Sequence, residues 1–291
     1  MKKVLSIVLS IVMVLCMMPA MAFAGTSAVF TDDAAINHDA AVGTLVALGV
    51  FEGYPDGSFQ PAKVVTRAEM AKTIATVLNG GEAPVLSAST TSYTDTKGHW
   101  AAPYIEYCTS LGIVEGVGAG AFAPDAPVTA EAAAKMILVA QGYNAAVEGM
   151  TGAQWASNTN VLANQNGYYA ELKDIATDAG CAREHVAQML FNVLGVKTVV
   201  QTKSVNKATG EVVISYDPNG AEMGSKYLDL VTSKAAMIDE ITFADGKYTY
   251  KFDDATADVT LEADYTDLFG MEVVVLSVEG KAIALRAEKS S

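Results

Sequence analysis

Residues 49–78 read GVFEGYPDGSFQPAKVVTRAEMAKTIATVL, and the punctuation of this stretch decides the fold of the N-terminal part of the chain. Leu48-Gly49 closes a helix with a glycine suited to the left-handed position after its last turn. Tyr54-Pro55-Asp56-Gly57 is a polar turn in which proline presets φ and glycine takes the positive φ. Phe59 and Pro61 form a short apolar anchor. Thr66-Arg67-Ala68-Glu69 then opens a second helix, with Thr66 at the N-cap and Glu69 three residues later in capping-box spacing. The stretch is the loop and second helix of a helix–loop–helix unit.

The chain repeats that unit. A shift of 63 positions aligns Phe30-Thr31-Asp32 with Tyr93-Thr94-Asp95, and Leu48-Gly49 with Leu111-Gly112. It also pairs Phe59 with Phe122, Pro61 with Pro124, Thr66 with Thr129, Lys72 with Lys135 and Ile74 with Ile137. A fainter third copy carries Trp155-Ala156 where the second has Trp100-Ala101, and Arg183, Ala187 and Leu190 where the first has Arg67, Ala71 and Ile74. The units span 30–79, 93–144 and 150–196, with a Gly/Ala/Ser/Thr-rich linker over 80–92. First helices carry apolar stripes, Val42, Leu45, Val46 and Leu48 in one copy and Tyr104, Ile105, Cys108 and Leu111 in the next. A two-helix unit cannot bury its apolar face alone, so the copies must pack on one another.

Outward from the repeats, the first residues read as a secretory leader over 1–24. Lys2 and Lys3 precede the apolar run Val4–Met18, and Ala22-Phe23-Ala24 is an A-x-A cleavage site. No later run reaches the about 18 apolar residues a spanning helix needs, so no membrane span is expected after cleavage. The 291-residue chain carries a net charge of −14, which argues against nucleic-acid binding. Two cysteines remain beyond Cys16, Cys108 and Cys181; whether they pair is open, and Cys108 falls at a helical core position.

From Lys197 the composition changes to short β-branched and aromatic runs over 199–200, 212–216, 241–243, 248–252, 259–261, 273–278 and 283–285. Asp245-Gly246 is a two-residue hairpin signal, and Glu279-Gly280 a second tight turn. Residues 197–291 therefore read as a small all-β domain, barrel or sandwich. The fold class is α+β and multidomain, with all-α repeats first.

The repeat motifs, F/Y-T-D, then L-G, G, D-G, F-x-P and T-R-A-E, resemble the S-layer homology (SLH) repeat over roughly residues 30–195. The resemblance implies a pseudo-threefold bundle with grooves between neighbouring units. It further implies non-covalent anchoring of an exported bacterial protein to an anionic, pyruvylated secondary cell-wall polysaccharide, and a place in the wall or S-layer. S-layer or other surface proteins are further possible partners. In such repeats the T-R-A-E arginine meets the sugar carboxylate; here that is Arg67, with Arg183 in the third copy. The second copy reads Thr129-Ala130-Glu131-Ala132 and lacks it, so a single groove centred on Arg67 is the conservative count.

The candidate binding residues are thus Arg67, Thr66, Glu69, Asp32, Asp56, Trp100, Trp155 and Arg183. A guanidinium fork matches a carboxylate, and a helix start favours an anion. The capping box alone accounts for Thr66 and Glu69. Asp32 and Asp95 also suit caps of first helices or turns, and Trp100 and Trp155 suit either core or sugar stacking.

The three histidines, His38, His99 and His185, show no metal-ligand spacing, and no G-x-S-x-G elbow is present. The acidic cluster Asp253, Asp254, Asp258, Glu262 and Asp264 lacks EF-hand spacing. No cofactor and no enzymatic activity are expected; a wall-attached glycan hydrolase, or a lattice protein with weakened polymer binding, is the alternative.

Overall fold

The computed structural model describes residues 30–87, 91–173, 175–210, 212–217 and 219–288. The expected leader lies outside the described residues. The molecule is α+β. Six helices form a bundle: α1 (Asp39–Ala47), α2 (Arg67–Leu78), α3 (Ala102–Ser110), α4 (Ala130–Gln141), α5 (Trp155–Gln165) and α6 (Arg183–Val193). Residues 30–79, 93–144 and 150–196 each contain two of them. The second helix of one unit packs on the first helix of the next, α2 on α3 and α4 on α5, and α6 returns to α1.

Backbone hydrogen bonds close the same circuit. The N–H of Val65 donates to the carbonyl of Cys181 (3.0 Å), Cys181 to Val128 (2.8 Å) and Val128 back to Val65 (2.9 Å). Two residues further on, every second helix hands its first amides to another unit. Arg67 and Ala68 donate to Ala126 and Pro124, Ala130 and Glu131 to Ala179 and Thr177, and Arg183 and Glu184 to Lys63 and Pro61. The orphan donors of a helix start are thus satisfied by the neighbouring loop.

The apolar stripes largely face inward: Val42, Leu45, Val46 and Leu48 are buried, as are Ile105 and Cys108. Leu111 is not; it is 48% exposed. α3 ends at Ser110 and the chain turns at left-handed Gly112 (φ +69°), so Leu111 leaves the helix face its spacing suggested.

The C-terminal part is neither a closed barrel nor a sandwich. Strands β1 (Val200–Val205) and β2 (Val212–Asp217) form a separate hairpin. The others are β3 (Val231–Thr232), β4 (Ala236–Ala244), β5 (Lys247–Phe252), β6 (Val259–Leu261), β7 (Glu272–Val278) and β8 (Lys281–Ala287). They make one antiparallel sheet in which β7 pairs with β3, β4 and β8 and the path runs on to β5 and β6. The sheet curls until β6 lies near β8, a half-barrel. Asp245-Gly246 takes the doubly left-handed turn (φ +53° and +76°) that matches the twist of its flanking strands.

Strand β8 packs on α1, and a short helix α7 (Met223–Tyr227) is tied to the ends of second helices, Tyr227 donating to the Ala140 carbonyl and Gly224 to that of Leu194. There Met223 and Leu228 meet Leu45, Val77, Leu190 and Leu194. One apolar core runs from the bundle into the sheet. The acidic cluster is occupied locally: Asp253 accepts from the Met237 N–H, Asp254 from the Thr256 N–H, and Asp264 from the Tyr248 hydroxyl.

Candidate functional site

The loops that wall the candidate sites are built by their aspartates. The Asp32 carboxylate accepts the N–H groups of Phe59 and Gln60, both at 2.8 Å, and Asp95 those of Phe122 (2.8 Å) and Ala123 (2.7 Å). Gln60 (φ +57°) and Ala123 (φ +56°) are left-handed without being glycine, a conformation that persists only where the surroundings fix it. Each aspartate supplies that fixing, and neither caps a first helix with its side chain. Asp56 serves its own turn, accepting from the Ser58 N–H and hydroxyl. Asp32 and Asp56 therefore shape the loop and are not set beside either arginine.

Thr66 and Glu69 form the full capping box. The Thr66 hydroxyl accepts from the Glu69 N–H at 3.1 Å, and the Glu69 carboxylate accepts from the Thr66 N–H at 2.9 Å. Its other oxygen pairs with Lys63 at 2.8 Å. Burial pushes the Glu69 carboxyl up, but Lys63 and the Thr66 amide outweigh it and hold the pKa below the ordinary value. With the Arg67, Ala68 and Glu69 amides all engaged, the start of α2 has no free donor to offer an anion. The expectation of a helix-start anion site at Arg67 is corrected to one of the guanidinium alone.

The guanidinium of Arg67 leaves its own unit. It reaches the loop of the second, where Nε donates to the Phe122 carbonyl (2.9 Å), NH2 donates to the Glu115 carbonyl (2.8 Å), and the group lies 4.4 Å from the Phe122 ring centre. It lines a groove of about 290 Å³ with Lys135 and Trp155. Arg183 does the equivalent in the first unit. It donates to the Glu52 carbonyl, lies 4.7 Å from the Phe59 ring centre, and lines a groove of about 310 Å³ with Lys72, Tyr54 and Trp100. Glu52 and Glu115, Phe59 and Phe122, and Lys72 and Lys135 are the same positions of the repeat.

Each groove takes its walls from one unit, its tryptophan from the next and its arginine from the remaining one. The eight candidates are thus divided. Arg67 stands with Trp155, Arg183 stands with Trp100 and Glu69, and Thr66, Asp32 and Asp56 support the frame. Trp100 is 54% exposed, so it is no core residue, and Trp155 is half-buried.

Neither arginine has a carboxylate partner among the described residues; main-chain carbonyls and aromatic rings hold them instead. Burial lowers both guanidinium pKa values, opposed by Tyr93 and Asp95 at Arg67 and by Tyr54 and Glu69 at Arg183. A guanidinium remains charged in proteins. Each groove therefore sets a charged guanidinium in the same pocket as an indole. At the third position of the circuit Ala130 is fully buried where an arginine would stand. The sequence reading passed over the two lysines as site residues, although their match at the 63-residue shift was visible.

Stacked helix pairs with an arginine-bearing groove between neighbouring units define a helical repeat protein. Residues 29–71 and 92–134 match the S-layer homology domain, and the chain carries two such domains. It is 30% identical over 207 residues to the Middle cell wall protein of Brevibacillus brevis, covering 70% of this chain and 19% of that protein. It is 26% identical over 264 residues to S-layer protein sap of Bacillus anthracis, covering 83% of this chain and 31% of the relative. An uncharacterized cell wall amidase of Bacillus anthracis is 33% identical over 93 residues, 32% of this chain and 17% of the relative. The chain spans less than a third of the length of each of these relatives. Its place is the secreted, cell-wall surface of a bacterium. No helix among the described residues is long and apolar enough to cross a membrane.

Proposed function

We propose that residues 30–196 hold the chain non-covalently to an anionic secondary cell-wall polysaccharide bearing pyruvylated sugars. The three units act as a pseudo-threefold frame with two working grooves, and residues 197–291 are a β domain presented on the outward side. The observation that carries this reading is the pair of arginines, each half-buried in a groove without a carboxylate partner and each beside a tryptophan. A carboxylate on a sugar completes the pairing that the protein leaves open, in the bidentate geometry a guanidinium favours.

The test is binding of the full chain to purified wall polysaccharide. Arg67→Ala and Arg183→Ala should each weaken binding by about tenfold or more, the loss of one charge-assisted hydrogen-bond set. The double variant should not bind. Thermal melting checks that each variant is folded, and a folded double variant that binds like the parent overturns the reading.

A second role, as a building block of a surface lattice, is favoured by the likeness to an S-layer protein over 83% of the chain, which extends past the repeats into the β part. We read the chain as a non-enzyme, since the amidase likeness covers 32% of it.

A further inference from the structure

The two grooves share an arginine, a lysine and a tryptophan and differ in what surrounds them. Where the Arg183 groove has Tyr54, Glu69 and Thr73, the Arg67 groove has Val117, Ala132 and Met136, the same three positions of the repeat. Met150, fully buried, deepens the apolar side of the Arg67 groove. The lysines differ as well. Lys135 is already paired with Glu115 at 3.1 Å, whereas Lys72 has no carboxylate partner among the described residues.

We propose, on the reading that both grooves bind the wall polymer, that they recognise different sugars of it. The Arg183 groove takes an acidic sugar with free hydroxyls. The Arg67 groove takes an acidic sugar carrying an apolar acyl or alkyl substituent.

The chemistry of each wall supports the division. The Tyr54 oxygen accepts from Lys63 at 2.7 Å and also meets the Arg183 guanidinium, so its O–H hydrogen is the part left for a sugar. Each Glu69 oxygen receives one donor, from Lys63 or from the Thr66 amide, and keeps lone pairs for sugar hydroxyls. An apolar substituent placed there would displace that polar solvation without replacing it. Against Met136 and Met150 the preference reverses, because a methyl group removed from water gains about fourfold in affinity, and a thioether wall adapts to its shape. A hydroxyl there meets no polar group on the Met136 side, and the one carboxylate in the lining, Glu115, is already paired with Lys135.

The chain has two tryptophans, one in each groove, so their indole N–H resonances report the grooves separately. The full chain, labelled with ¹⁵N, is titrated with glucuronic acid, which bears hydroxyls alone, and with N-acetylmuramic acid, which bears acetyl and lactyl methyls. Trp100 should respond to glucuronic acid at a concentration at least about fourfold below that needed for N-acetylmuramic acid, and Trp155 in the opposite order. The same order at both indoles overturns the proposal while leaving the anchoring reading intact. No response at either indole to the sugars or to the wall polysaccharide overturns both.

A variant of the Arg67 groove tests the same assignment from the other side. Ala132→Glu with Met136→Thr recreates in α4 the capping box seen at Thr66 and Glu69, so it suits the fold. It should turn the preference at Trp155 to that of Trp100. An unchanged preference counts against the proposal.

Discussion

Glu184, buried at the start of α6, receives both amide groups of Asn37, the backbone N–H at 2.8 Å and the side-chain Nδ2 at 3.2 Å, across 147 residues of sequence. The contact fastens the last helix of the bundle to the entrance of its first. Hydrogen bonds to a charged group are stronger than neutral ones, and an acceptor lost from such a site is not replaced by packing. Glu184→Ala should therefore destabilise the chain by about 1–3 kcal/mol, read from the urea midpoint. Glu184→Gln, which keeps one acceptor, should cost less. Equal effects of the two variants would show that packing, and not the hydrogen bonds, holds the junction.

Ala182 occupies the N-cap of α6 with the same extended backbone as Thr66 and Thr129 (φ −68°, ψ 152°), but it offers no side-chain acceptor. Ala182→Thr should add the missing cap and raise stability by about 1 kcal/mol. The reciprocal Thr66→Ala and Thr129→Ala should lower it by a similar amount. Denaturant midpoints of the three variants check the signs together.

Glu69 supplies a pH dependence. Its folded pKa is held below the ordinary glutamate value, so its contribution is complete above the unfolded pKa and is lost as the pH falls through the folded one. Glu69→Gln should therefore melt below the parent at neutral pH. The gap in Tm should close under acid conditions below the ordinary glutamate range. A gap that stays constant with pH would exclude the ion pair with Lys63 as its source.

Cys108 and Cys181 are both free and buried, and burial pushes each thiol pKa up to about 12. Thiolate is the reactive form, so neither should react with a thiol reagent at pH 8 in the folded chain. Both should react promptly in denaturant. Titration of free thiols before and after unfolding tests this, and a missing pair of thiols in denaturant would reveal a disulfide instead.

What the sequence disclosed was mostly local. The capping box at Thr66 and Glu69 lies within four residues, and the turn at Asp245-Gly246 within two, so their spacing alone carries the physics. The repeat was legible because punctuation residues recur at a constant offset. Which unit each arginine serves was not legible. Arg67 turns to the carbonyl of Glu115, and Arg183 to that of Glu52, through the order in which the units close their circuit, and no single unit encodes that order.

The same distance effect hid the use of the α2 amides, whose acceptors at Ala126 and Pro124 lie in another copy. The partners of Asp32 were hidden for a similar reason: Phe59 and Gln60 stand beyond the first helix. In the β part, α7 and β3 are five and two residues long, too short for a periodic signal. The half-barrel depends on β4 pairing first with β7 and then, past a bulge between Ile238 and Glu240, with β5, and the partner β7 is distant in sequence.

The division of each groove among all three copies has a consequence for inheritance. Tandem copies are prone to gain and loss by unequal recombination, and in a simple array the loss of one copy would remove one site. Here excision of any copy takes the wall, the indole or the arginine from both grooves at once. A chain shortened by one copy would therefore lose both grooves together.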